Sequence, residues 1–237
     1  MAYTRRCALF FKQKKHPSFL SGVLSANKFK LKQIYYHPFN LQLFKGALCP
    51  EIFGYYLRDD YYYLHQFSSV LQTLSPKTIN LYPDLARHLD YLGKDIISNE
   101  LSMQQQYKEH LKNVSDIIPG HTISSYTAYL SKTATDSELS VALCAVLPCF
   151  WVYYQLGMIH KNTTSSNNCY KKWIDAYSSP DFITATRHLV KTTAIIANQS
   201  PFELQLKMNE AFGIAVQFEL DFFNEVCTQE HNIKLIA

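Results

Sequence analysis

Long stretches of helical hydrophobic period alternate along the chain with short polar breaks. Apolar residues recurring three and four positions apart predict helices over about 18–35, 40–46, 50–74, 79–112, 122–134, 137–160, 168–177, 181–198 and 201–228. Ser75-Pro76 reads as the end of one helix, Pro119-Gly120 as a loop, and Asp136 as the N-cap of the helix that buries Leu139. His160 to Asn168 is a polar loop. Ser179-Pro180-Asp181 and Ser200-Pro201 are breaks followed by helix starts, with proline tolerated in the first turn. No run shows β alternation bounded by turn signals. The pattern therefore predicts an all-α fold: one domain over residues 17–237, built as a bundle with short connections, after an extension of residues 1–16.

Two helices break their own pattern. Positions seven apart nearly coincide on a helix, so Phe53, Asp60, Phe67 and Leu74 share one line, with Tyr56, Tyr63 and Val70 beside it. Phe212, Glu219 and Val226 form a second such line, flanked by Val216 and Phe223; Asp221 projects to another side. A lone inward carboxylate costs several kcal/mol in desolvation unless it is hydrogen-bonded or paired. A tyrosine hydroxyl or a helix N-terminus would satisfy one such acid. Two on separate helices point to a polar cavity built from facing side chains.

Leu139 to Ile159 is almost entirely apolar and barely long enough to cross a bilayer. A central helix buried on all sides looks the same, and with no second span and a polar remainder that is how it is read, with no membrane partner. Within it, Cys149 follows Pro148, which removes a backbone donor and leaves the Cys144 carbonyl without its usual partner. Tyr153 lies one turn beyond Cys149 on the same face. Most buried cysteines are inert, but a thiol beside a carboxylate that can accept its proton is a nucleophile candidate.

Charge and cysteines narrow the classes. Residues 1–50 hold two Arg and seven Lys and no acid, about +9 against a net +4 for the chain. They lack the arginine cluster and aromatic platform of a nucleic-acid binder and read as a solvated basic segment, with no nucleic-acid partner. The six cysteines form no CxxC pair and no zinc spacing, and no secretory signal is visible, which favours free thiols in a reducing, cytoplasmic setting. Asp84 and His88 are four apart, but a surface helix pair explains them better than a metal.

Several blocks together carry a resemblance. "HPFNLQLFKGALCPEIFGYYLRDDYYYL", "SYTAYL", "LPCFWVYYQLG", "YKKWIDAYSS" and "QFELDFF", in this order from about His37 to Cys227, are similar to the TenA family, also called thiaminase II or aminopyrimidine aminohydrolase. The resemblance implies a haem-oxygenase-like helical bundle, usually a homotetramer, that needs no metal or organic cofactor. It implies hydrolysis of 4-amino-5-aminomethyl-2-methylpyrimidine to hydroxymethylpyrimidine in thiamine salvage, with thiamine as a further substrate of some members. It places Cys149, Glu219 and Asp60 at catalytic positions and Tyr63, Tyr126, Tyr153 and Tyr177 at substrate-lining ones. Gln104 stands where many members carry a histidine, and "DFF" where many carry an aromatic and tryptophan, which bears on substrate preference. The rival readings are a non-catalytic or regulatory binding protein and a haem-oxygenase-like oxidase. A di-metal site would want Glu-x-x-His spacing, and none occurs.

Overall fold

A computed structural model describes residues 18–100, 102, 107, 118–160 and 164–234. The extension 1–16, Gln104 and, but for residues 102 and 107, the 101–112 part of the helix expected over 79–112 lie outside the described residues. Among the described residues there is no β-strand. The helices are α1 (Phe19–Ala26), α2 (Lys28–Tyr35), α3 (Pro38–Lys45), α4 (Pro50–Thr78), α5 (Pro83–Asp95), α6 (His121–Asp136), α7 (Leu139–His160), α8 (Lys171–Ala176), α9 (Pro180–Gln199) and α10 (Phe202–Lys234), with a π-helical turn, Ile96–Glu100, continuing α5.

α7 is the axis of the bundle. α2, α6, α9 and α10 pack around it, while α4 packs against α5, α6 and α10. The run that has the length and hydropathy of a membrane span is thus the core helix, with residues from Ser140 to Pro148 buried without interruption. α4 contributes the complementary wall: Phe53, Tyr56, Leu57, Phe67, Leu71 and Leu74 are all buried, at helical spacing.

The helix ends follow from local chemistry. α3 begins with Pro38 at its first position, capped by His37, whose Nδ1 accepts from Phe39 N at 3.2 Å. It ends in a Schellman turn: Ala47 N donates to Gln42 O at 2.9 Å and Gly46 N to Leu43 O at 3.0 Å, with Gly46 at φ 73°. α6 is seated by α10, since the Glu225 carboxylate accepts from His121 N at 2.9 Å and Thr122 N at 2.8 Å.

Four boundaries differ from the expectation. The first predicted helix is two, broken at Asn27, whose side-chain amide donates to Val23 O at 2.9 Å and competes with the helix ladder. α4 does not stop at Pro76 but runs on to Thr78. Tertiary bonds hold that last turn: Ser75 Oγ donates to Ala86 O, and Lys77 Nζ donates to the carbonyls of Ala134 and Thr135. α5 accordingly starts at Pro83 rather than 79. Asp136 is not an N-cap. It closes α6, and Glu138 supplies the first carbonyl of α7, accepting from Ala142 N at 3.1 Å.

Candidate active site

Asp60 and Cys149 line one small chamber between α4 and α7, together with Tyr63, Leu64, Phe67, Ile96, Phe150, Tyr153, Tyr177 and Phe182. Asp60 is 4% exposed, so its row does face inward as the seven-residue spacing requires. Cys149 is half-buried at the chamber wall, directly after Pro148. Glu219, 2% exposed on α10, stands behind this wall with Tyr126 of α6, whose hydroxyl donates to Glu219 Oε1 at 3.1 Å. Asp221 is on the other side of α10, accepting from Gln217 Nε2 at 2.9 Å.

The three groups meet around four tyrosines. The Tyr63 hydroxyl feels Cys149, Tyr126 and Glu219; it lies beside Cys149 and Tyr126 without a well-aligned hydrogen bond. Tyr126 feels Glu219 and Cys149, and Tyr56 and Tyr153 each feel Asp60 and Glu219. Burial foremost, then these neighbouring charges, pushes all four phenols well above their ordinary value, so they stay neutral donors. Burial also pushes the Glu219 carboxyl up to about 8, partly offset by the bond from Tyr126. At neutral pH Glu219 therefore carries a proton. An acid kept neutral in a buried, aromatic setting is poised to donate that proton to a ligand atom.

Rings complete the walls. Tyr63 lies 5.1 Å from Tyr126, Tyr153 4.8 Å from Tyr177, and Trp173 packs edge-on against Tyr177 at 4.6 Å. The expectation of room for a flat heterocycle meets a correction: the free space in the chamber is about 20 Å³, enough for a water. A larger cavity of about 250 Å³ adjoins it. Ile96, Phe150, Tyr177 and Phe182 line both, and so form the partition between them.

Residues 24–229 match the TENA/THI-4/PQQC family. The chain belongs to that family. It is 26% identical over 200 residues to an aminopyrimidine aminohydrolase of Bacillus subtilis (strain 168), covering 82% of this chain and 83% of that enzyme. It is 25% identical over 198 residues to an aminopyrimidine aminohydrolase of Halalkalibacterium halodurans, covering 80% of this chain and 87% of that one. A solved TenA homologue from Pyrococcus furiosus superposes with a TM-score of 0.79 at 20% identity, over 88% of this chain and 99% of that one. Another from P. horikoshii OT3 gives 0.75 at 24% identity, over 89% and 98%. The fold is the haem-oxygenase-like helical bundle.

On this member of the TENA/THI-4/PQQC family, several contributors to the chamber carry no motif. Tyr56 is one: its hydroxyl is 2.9 Å from that of Tyr153. It sits on the α4 stripe seven before Tyr63, where it reads as core. Gly157 is another. A Cβ there would lie 2.4 Å from the Tyr177 carbonyl oxygen, so only glycine lets the turn after α8 press against α7 and hold Tyr177 in the wall. Among the described residues no three His, Cys, Asp or Glu converge as metal ligands. Asp84 pairs with Arg87, and His88 bonds to Ala185 O at 2.9 Å.

Proposed function

We propose that this protein is a cysteine-dependent hydrolase of thiamine salvage. Its substrate is 4-amino-5-aminomethyl-2-methylpyrimidine, and it releases ammonia and hydroxymethylpyrimidine. Membership of the family and the named activity of the Bacillus subtilis relative support the reaction class. The observation that carries the reading is the pairing of a buried, protonated Glu219 with a chamber lined by Asp60 and Cys149.

The chemistry follows from these groups. Asp60 holds the ring amino group and accepts the Cys149 proton. The thiolate adds to the ring carbon next to the substituted one, while Glu219 donates its proton to the adjacent ring nitrogen. Addition removes aromaticity, and the ring electrons then expel the amino group of the exocyclic methylene, protonated as an alkylamine is in neutral water, as ammonia. Water adds to that methylene and gives up a proton to solvent, the ring nitrogen returns its proton to Glu219, and the carbon–sulfur bond breaks to release the thiolate, which takes its proton back from Asp60. The net change is amine plus water to alcohol plus ammonia. The neutral tyrosines supply stacking area and hydroxyl donors for a planar ring.

Among the described residues Cys49, Cys144 and Cys169 are thiols outside any disulfide, which supports a reducing, cytoplasmic setting. Exposed Phe29, Phe202, Leu206 and Ile214 support self-association as a tetramer, which light scattering tests. A second reading, a non-catalytic binder, uses the same chamber without turnover. Ammonia release from the aminomethyl pyrimidine separates the two: wild type should turn over and Cys149→Ser should not. A purified, folded wild type that binds the compound without releasing ammonia would leave the binder.

A further inference from the structure

The two cavities share a wall whose four members are held very differently. Ile96 and Phe150 are buried, and Phe150 packs on Phe67 at 5.5 Å. Tyr177 is wedged between Trp173 and Tyr153, with its backbone against Gly157. Phe182 is only half-buried. Its ring meets Tyr177 edge-on at 5.3 Å and Phe150 at 6.5 Å. Its backbone is fixed, because Phe182 N donates to the capping Ser179 Oγ at 3.2 Å in the first turn of α9. The side chain can therefore rotate without moving the helix. Opposite it, Ile96 begins the π-helical turn, a geometry that often marks functional sites.

Phe182, with Ile96, Phe150 and Tyr177, thus separates about 20 Å³, too little for a pyrimidine ring, from about 250 Å³. Glu219 and Tyr126 stand behind the inner chamber's Tyr63 and Tyr153, and the partition closes the chamber from α7, α9, the turn before α9 and the π turn. A ring whose nitrogen meets Glu219 directs its position-5 methylene away from that acid. Among the described residues the outer cavity's charged lining residues are Asp95 and Asp181, with no lysine or arginine, so it suits a neutral or cationic group.

We infer that Phe182 is the gate between the chambers, that the outer cavity receives the position-5 substituent, and that Phe182 sets how large a substituent is accepted. The inference rests on the aminopyrimidine reading and adds a specificity-determining residue to it. The test compares wild type, Phe182→Ala and Phe182→Trp on two substrates, the aminomethyl pyrimidine and thiamine, whose substituent is a bulky thiazolium. Phe182→Ala should raise kcat/KM for thiamine relative to the aminomethyl compound about tenfold, mainly through KM, and Phe182→Trp should lower that ratio. A ratio unchanged within about twofold in both variants, folded by circular dichroism, overturns the gate. Dissociation constants of thiamine and hydroxymethylpyrimidine, measured by calorimetry, give the same ratio without turnover. A wild type that binds both but releases no ammonia refutes the hydrolase reading and leaves the gate to be judged on binding. Binding of neither overturns both.

Discussion

The site has two unlike ends, one behind the chamber's wall and one at the partition. At the acid end, Glu219 and Tyr126 are buried, hydrogen-bonded to one another, and seated on long helices that Glu225 ties together at the start of α6. At the Phe182 end, the wall is made of single residues from a π turn, α7, an interhelical turn and the first turn of α9, and it opens onto a cavity. Gly120 shows how closely the first end is built: a Cβ there would lie 2.7 Å from both Asp59 Oδ2 and Glu225 Oε1. The contrast assigns fixed electrostatics to one end and admission to the other. Catalytic groups gain most from preorganisation, whereas a mouth has to yield.

The largest effect should come from the thiol. Cys149→Ser is expected to lower kcat by on the order of 10³-fold or more while leaving the melting temperature nearly unchanged. Substantial turnover in that variant would separate the chamber from the chemistry. Next is the acid. Glu219→Gln should cost about 10²–10⁴-fold in kcat and yet make the protein more stable at pH 8. Folded Glu219 keeps its proton to about pH 8, while in the unfolded chain it ionises near 4.5. The folded state thus binds more protons across that window, and stability falls as pH rises through it. Removing the group should return on the order of 3 kcal/mol at pH 8, as denaturant melts of both proteins would reveal.

Gly157→Ala probes the close contact that holds Tyr177 in the partition. The new methyl collides with the Tyr177 carbonyl, so about 1–3 kcal/mol of stability should be lost and KM should rise, with a smaller change in kcat. An unaltered melt and KM would mean that Tyr177 does not depend on that contact. Asp221→Asn is the quiet control. Its partner is Gln217 on its own helix, and stability should stay within about 0.5 kcal/mol of wild type. A collapse of activity there would mean that α10 presents a different acid to the site.

What the sequence makes legible is what long helices repeat. The inward phase of Asp60 and Glu219 can be read because seven-residue spacing on α4 and α10 survives into the packed bundle. The core role of α7 follows from its unbroken apolar run. Helix ends were less legible where tertiary bonds overrule local ones: Lys77 and Ser75 carry α4 past Pro76, and Asp136 closes a helix rather than opening one. Tyr56 hides because a buried tyrosine on an apolar stripe looks the same whether or not its hydroxyl meets another. The partition is not legible at all. Ile96, Phe150, Tyr177 and Phe182 are distant in sequence, and only the bundle brings them into one wall.

The most direct test of the central claim, that a neutral buried glutamic acid and a cysteine act together on an aminopyrimidine, is ammonia release from the aminomethyl compound as a function of pH. Wild type should lose activity as pH rises through about 8, where Glu219 gives up its proton, and Glu219→Gln should be slow at every pH with no such fall. Ammonia release by Glu219→Gln at the wild-type rate, or an identical alkaline fall in both proteins, would contradict it.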